Sequence, residues 1–121
     1  MTKQRCPCCS GLAYERCCAP YHLGELPLSP EALMRSLYSA IAKGLAEYIA
    51  NTQVQPCNLE EIQQFASHTT FEKLEVLEAK GDTVLFVAHL RQQGKDCSFR
   101  EKSYFVKQKG KWVYSHGDLE K

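Results

Sequence analysis

No stretch of this 121-residue sequence is long and uncharged enough to cross a bilayer as a helix, and its first residues, MTKQRCPCC, run into cysteines where a secretory leader has an apolar segment. A soluble cytoplasmic protein with no membrane partner is expected. Charge of one sign is also scarce, since 15 basic and 14 acidic residues leave a formal charge of +1 with no charge block. Nucleic-acid binding through phosphate neutralisation is therefore not indicated. There is no glycine-rich phosphate loop, internal repeat or low-complexity tract. A composition 44% hydrophobic and 24% charged fits one small globular domain with at most a short appendage.

Cysteine is what the sequence has in excess. Five of its seven cysteines lie in CPCCSGLAYERCC, residues 6 to 18. An odd total with two adjacent pairs and no leader argues for reduced thiols or a metal rather than a disulfide framework. A tetrahedral zinc ion takes four soft ligands from two knuckles. Here Cys6, Cys8 and Cys9 form one knuckle and Cys17 and Cys18 the other, so one thiol is surplus. Cys6 with Cys9 has the ordinary knuckle separation, and Cys6 with Cys8 is the alternative. An iron–sulfur cluster, a redox dithiol and a set of free thiols are the competing readings. His22 is read as a surface or packing residue. Lys3, Arg5 and Arg16 lie near enough in sequence to offset thiolate charge, with backbone donors around Ser10 and Gly11 serving the sulfurs.

The chain divides into the cysteine segment (1–22), a proline-containing linker, LGELPLSP (23–30), and an α+β domain (31–121). Residues 1–22 show neither helical nor strand periodicity. Ser29 and Pro30 supply an N-cap and first position for a helix carrying Met34, Leu37, Tyr38, Ile41 and Leu45, with Gly44 as its stop. A short helix with Tyr48, Ile49 and Thr52 follows. Asn58 and Glu61 then make a capping box for a third helix burying Leu59, Ile62, Phe65 and Ala66. From Phe71 the period becomes two. FEKLEVLEA, TVLFVAHLRQQ, DCSFREKSYFVKQ and KWVYSH, separated by Gly81-Asp82, Gly94 and Gly110, predict a four-stranded antiparallel meander with helices on one face of a curved sheet.

CPCCSGLAYERCC resembles the SEC-C zinc motif of the SecA translocation motor and many small bacterial proteins, in which Cys-x-Cys is followed after eight residues by Cys and then Cys or His. The resemblance implies Cys6, Cys8, Cys17 and Cys18 as ligands of one structural Zn2+, with Ser10, Gly11 and Tyr14 in register. Cys9 falls where the motif usually has glycine and is expected to be a non-ligating thiol near the site. With four protein ligands, no position stays open to activate water. LMRSLYSAIAKGLAEYIANT (33–52), the stretch from Phe65 to Val76, and EKSYFVKQKGKWVYSHG (101–117) resemble the bacterial YchJ family, which joins a SEC-C motif to a nuclear-transport-factor-2-like cone. Matching residues include Arg35, Tyr38, Tyr48, Glu101, Ser103, Trp112, Tyr114 and Gly117. Many relatives carry a second SEC-C motif after the domain, which this sequence does not show. Val54 and Gln55 stand where relatives tend to have His-Pro, so no role of that histidine carries over.

Such a cone implies a pocket between helices and concave sheet. Phe99, Glu101, Ser103 and Phe105 share one strand face, and Ser98, Arg100, Lys102 and Tyr104 the other. The first face is the more apolar, which places Glu101 inside, and a buried carboxylate must be paired, protonated or functional. Arg35 is its expected partner in a helix-to-sheet bridge. The functional alternative is an anchoring pair with Tyr38, Ser103 and Tyr114 as polar pocket groups. His68 and His116 have no partner set that makes a nucleophile, so no catalytic residues emerge. His89 shares an outer face with Leu85, Val87 and Arg91, while Cys57 and Cys97 read as ordinary apolar thiols. Three functions follow: a zinc-binding accessory or adaptor protein with a protein or peptide partner, a small enzyme or small-molecule carrier using Glu101, Arg35 and Tyr38, and a thiol redox or metal-handling protein using Cys9. The apolar character of both faces of TVLFVAHL adds a dimer as one option for covering the outer sheet.

Overall fold

The computed structural model describes residues 4–56 and 58–120, so Lys3 and Cys57 lie outside the described residues. The segment without periodicity acquires local order. An isolated bridge between Arg5 and Ala13 closes a loop over the first three cysteines. A 3-10 turn, Tyr14–Arg16, then leads through Cys17 and Cys18 into the short helix α1, Ala19–His22.

Helix α2, Pro30–Lys43, begins where its cap predicts, with the Ser29 hydroxyl accepting from the Ala32 amide at 3.1 Å. Gly44 ends it in the left-handed region at φ 70, which glycine adopts without the Cβ penalty. Burial on this helix extends beyond a single stripe: Leu33, Met34, Leu37 and Tyr38 are buried, and so are Ser36 and Ser39. It lies between two partners, the sheet on one side and the cysteine segment on the other. Helix α3, Ala46–Asn51, buries Ala46 and Ile49.

Helix α4, Leu59–Ser67, is capped by Asn58, whose side chain accepts from the Glu61 amide at 3.1 Å. The expected burial of its apolar face is not found. None of its residues is buried, and Leu59 and Phe65 remain 41% and 39% exposed. Phe65 lines an open cavity instead of a filled core, which leaves its ring without cover on one side.

The strands are β1, Thr70–Lys80, β2, Thr83–Gln92, β3, Lys95–Asp96, β4, Phe99–Gln108, and β5, Lys111–Glu120. They pair antiparallel in the order β1-β2-β4-β5, with β3 attached to β2. The single third strand expected from DCSFREKSYFVKQ is thus interrupted after Asp96, where Ser98 uses its hydroxyl to accept from the Leu90 amide at 3.1 Å. Two hairpin turns, Gln93-Gly94 and Lys109-Gly110, have positive φ at both residues, the type I′ geometry that suits twisted strands. Strand β2 alternates as predicted, burying Val84, Phe86, Ala88 and Leu90 on its inner face. On its outer face, Leu85 is flanked by Glu78 and Lys102, and Val87 by Glu75 and Arg100. Long charged side chains beside these two residues account for their half-burial within one chain. A β-bulge between β4 and β5 shifts the register at Tyr104/Phe105, so that Phe105 faces Tyr114 while Ser103 faces Gly117.

Candidate functional site

The cysteine segment docks on α2 through polar contacts. The Arg35 guanidinium donates from Nη1 to the Cys8 carbonyl at 2.8 Å and from Nε to Glu31 Oε2 at 3.1 Å. Cys6 Sγ and Ser39 Oγ share a hydrogen bond of 3.3 Å. His22 Nε2 lies 2.8 Å from the Ser36 carbonyl, which can only accept, so Nε2 carries the proton and Nδ1 accepts from the Tyr14 hydroxyl at 2.6 Å. The ring also packs edge-on against Tyr48. Burial pushes its pKa below the ordinary histidine value. With both nitrogens engaged, His22 is a packing residue.

This docking gathers the sulfurs of Cys6, Cys8, Cys17 and Cys18 within 4.8 Å of one another, a group that could hold a metal ion. Four sulfurs about 2.3 Å from a tetrahedral ion stand about 3.8 Å apart. The Cys8–Cys17 and Cys17–Cys18 separations are 3.5 and 3.9 Å, so the donor set fits. Cys8 and Cys18 are 0% and 1% exposed, and all six described cysteines are free. The electrostatics are compatible with a bound cation. The Cys18 thiol beside Cys8 outweighs burial and draws Cys8 down to about 4, whereas burial pushes Cys17 up to about 11. Neighbouring Cys8 and burial raise Cys18 as well. Four adjacent thiols therefore resist ionising together unless positive charge joins them.

Support for the sulfurs differs from expectation. Ser10 Oγ lies 3.0 Å from Cys17 Sγ and Ser39 serves Cys6, so hydroxyls provide the contacts assigned to backbone donors. Arg35 is the cation coupled to Cys8. Burial opposes its charge, but Glu31 and Cys8 hold its pKa above the ordinary value. Cys9 stands outside the group, exposed, with φ 65. Its sulfur accepts from the Leu74 amide at 3.4 Å on the free edge of β1. A left-handed backbone at this position is the physical reason for glycine there.

The expected Arg35–Glu101 bridge does not form. Arg35 occupies the flank of α2 that faces the cysteine segment, and Glu101 is held within the sheet. Ser103 Oγ donates to Glu101 Oε2 at 2.7 Å, and Tyr114 Oη donates to the same oxygen at 3.4 Å. These three residues meet in the wall of a cavity of about 230 Å³ that is otherwise lined mainly by apolar side chains such as Met34, Phe86 and Phe99. Tyr38 also lines it and is buried, its hydroxyl without a hydrogen-bond partner although the Lys73 backbone lies near. Arg35 is not part of this cavity.

Gln53, in the cavity wall, and Gly117, beside the Glu101 carboxylate, were not read from the sequence as site residues. Gln53 bridges to Tyr114. At Gly117, any Cβ would collide with the Glu101 carboxylate and lie 2.7 Å from the Tyr114 hydroxyl. Tyr114 and Gly117 are three residues apart, so strict alternation assigns them to opposite faces. Only the bulge brings both toward Glu101.

Comparison with known proteins agrees with this architecture. Residues 29–117 match the family described as "YchJ, middle NTF2-like domain". A UPF0225 protein from Deinococcus radiodurans is 39% identical over 111 residues, covering 90% of this chain and 85% of that one. Another from Vibrio parahaemolyticus is 34% identical over 122 residues, covering 93% and 73%. The solution structure of a SEC-C motif containing protein from Rhodopseudomonas palustris is 34% identical, with a TM-score of 0.84 over 98% of this chain and 100% of that one. From its helices-on-sheet domain, its cysteine segment and this alignment along nearly its whole length, the chain belongs to the YchJ family of NTF2-like, UPF0225 proteins.

Proposed function

We propose that the chain is a zinc-binding accessory protein, with Cys6, Cys8, Cys17 and Cys18 as ligands of one structural Zn2+ and with a protein or peptide partner. Bound there, the ion supplies a cross-link between the loop of Cys6 and Cys8 and the turn of Cys17 and Cys18. Ser10, Ser39 and Arg35 orient the sulfurs and balance their charge. Because four protein ligands leave no open coordination position, the centre favours scaffolding over water activation. Zinc suits an all-thiolate set of four without a redox role.

The observation that carries the partner assignment is the outer surface of the same region. Leu12, Leu23, Leu26 and Leu28 are all exposed, Leu23 and Leu28 at 87% and 91%. A buried centre that fixes a leucine-bearing surface is the arrangement of a docking element. Cross-linking in cells followed by mass spectrometry tests this with a Leu23→Asp/Leu28→Asp variant. The expected result is loss of partner cross-links mapping to residues 12–28, with zinc content and melting unchanged. Undiminished cross-linking by a folded variant would reject this surface as the docking element.

A further inference from the structure

The cavity of about 230 Å³ contains an unusual combination of groups. Its walls include the aromatic rings of Phe65, Phe71, Phe86 and Phe99, yet one carboxylate, Glu101, is set among them. Ser103 and Tyr114 both direct their hydroxyl hydrogens to Oε2. Among the described residues, no hydrogen bond is made to Oε1 and no lysine, arginine or histidine forms an ion pair with Glu101. Neutral donors orient the acid without neutralising it. The bare backbone at Gly117 preserves the space this carboxylate occupies.

The geometry points to a binding site for a small organic ammonium ion with an apolar body, its charged nitrogen on Glu101 and its body against the phenylalanine rings. Charge complementarity decides the head group, because an anion would meet an uncompensated carboxylate and a neutral apolar molecule would leave it unpaired. Aromatic faces attract a cation through their quadrupoles and accept its hydrocarbon portion as well. Size decides the rest: pockets for drug-sized ligands span about 300–1,000 Å³, so this smaller cavity suits one ring or a short alkyl chain. Phe65 of α4 forms part of the wall and is partly exposed. This site is separate from the cysteine centre and does not depend on the zinc assignment.

Three probes of similar shape, 2-phenylethylamine, 2-phenylethanol and 3-phenylpropanoate, test the inference against the full chain as purified, at neutral pH, by calorimetry and amide NMR. The amine is expected to bind saturably and shift Gln53, Ser103 and Tyr114, with the alcohol weaker by about tenfold or more and the carboxylate weakest. Glu101→Gln should remove the amine's advantage over the alcohol. Gly117→Ala should do the same, because the group it displaces is the movable end of the Glu101 side chain. Equal affinity for all three probes, no binding of the amine, or an unchanged amine preference in a folded Glu101→Gln variant would overturn the inference. The wild-type comparison decides the matter even where a variant fails to fold.

Discussion

Arg35 on α2 and Cys8 in the cysteine segment are joined by a 2.8 Å hydrogen bond from guanidinium to backbone carbonyl. The same guanidinium is anchored by Glu31 one turn earlier, so a single side chain ties the helix to the loop that presents two of the four clustered sulfurs. Replacing it with methionine keeps much of the apolar stem but removes both donors. Arg35→Met is expected to destabilise the protein by roughly 1–2 kcal/mol in thermal melts and, with the proposed metal bound, to speed its loss to a chelator. A variant with unchanged melting and chelation kinetics would show that the tie is incidental.

Cys9 offers a test in which backbone conformation and thiol chemistry predict different results. Its φ of 65 favours glycine, while its sulfur makes only two long contacts, accepting from the Leu74 amide at 3.4 Å and donating to the Pro7 carbonyl at 3.6 Å. Cys9→Gly should melt at or above the wild type, whereas Cys9→Val, branched in a left-handed backbone, should lose about 1–2 kcal/mol. The reverse order would make the thiol the important feature and favour the redox alternative.

Much of the domain was legible because its boundaries are set locally. Ser29, Pro30, Gly44 and Asn58 act within a few residues of themselves, and the turns at Gly94 and Gly110 need only their own dihedral freedom. The four clustered cysteines were recognisable from spacing together with family resemblance. Less legible were relationships that depend on what lies across space. A helical period locates Arg35 at the edge of an apolar stripe but cannot tell which neighbour covers that edge. Period two misplaces Gly117 relative to Tyr114, because it does not anticipate the bulge. The apolar residues of α4 were expected in a packed core because hydrophobicity does not reveal that Phe65 borders a cavity.

Tyr114 gives the fold an alkaline limit. Burial, reinforced by the Glu101 charge, pushes its phenol up to about 12, above the ordinary value of 10.0 for an exposed tyrosine. Its contribution is fully present below pH 10 and is lost as pH rises toward 12, because the unfolded chain ionises first. The stability difference between wild type and Tyr114→Phe, measured by denaturant unfolding, should shift in favour of the variant across that window. A difference that stays constant from pH 9 to about 12 would contradict the burial-based shift.

The most direct test of the account is elemental analysis of the purified chain alongside Cys8→Ser and Cys9→Ser variants. The account predicts one zinc per chain in the wild type, lost with Cys8→Ser and kept with Cys9→Ser. Iron in place of zinc, no bound metal, or loss of metal with Cys9→Ser would contradict a closed zinc centre made by Cys6, Cys8, Cys17 and Cys18.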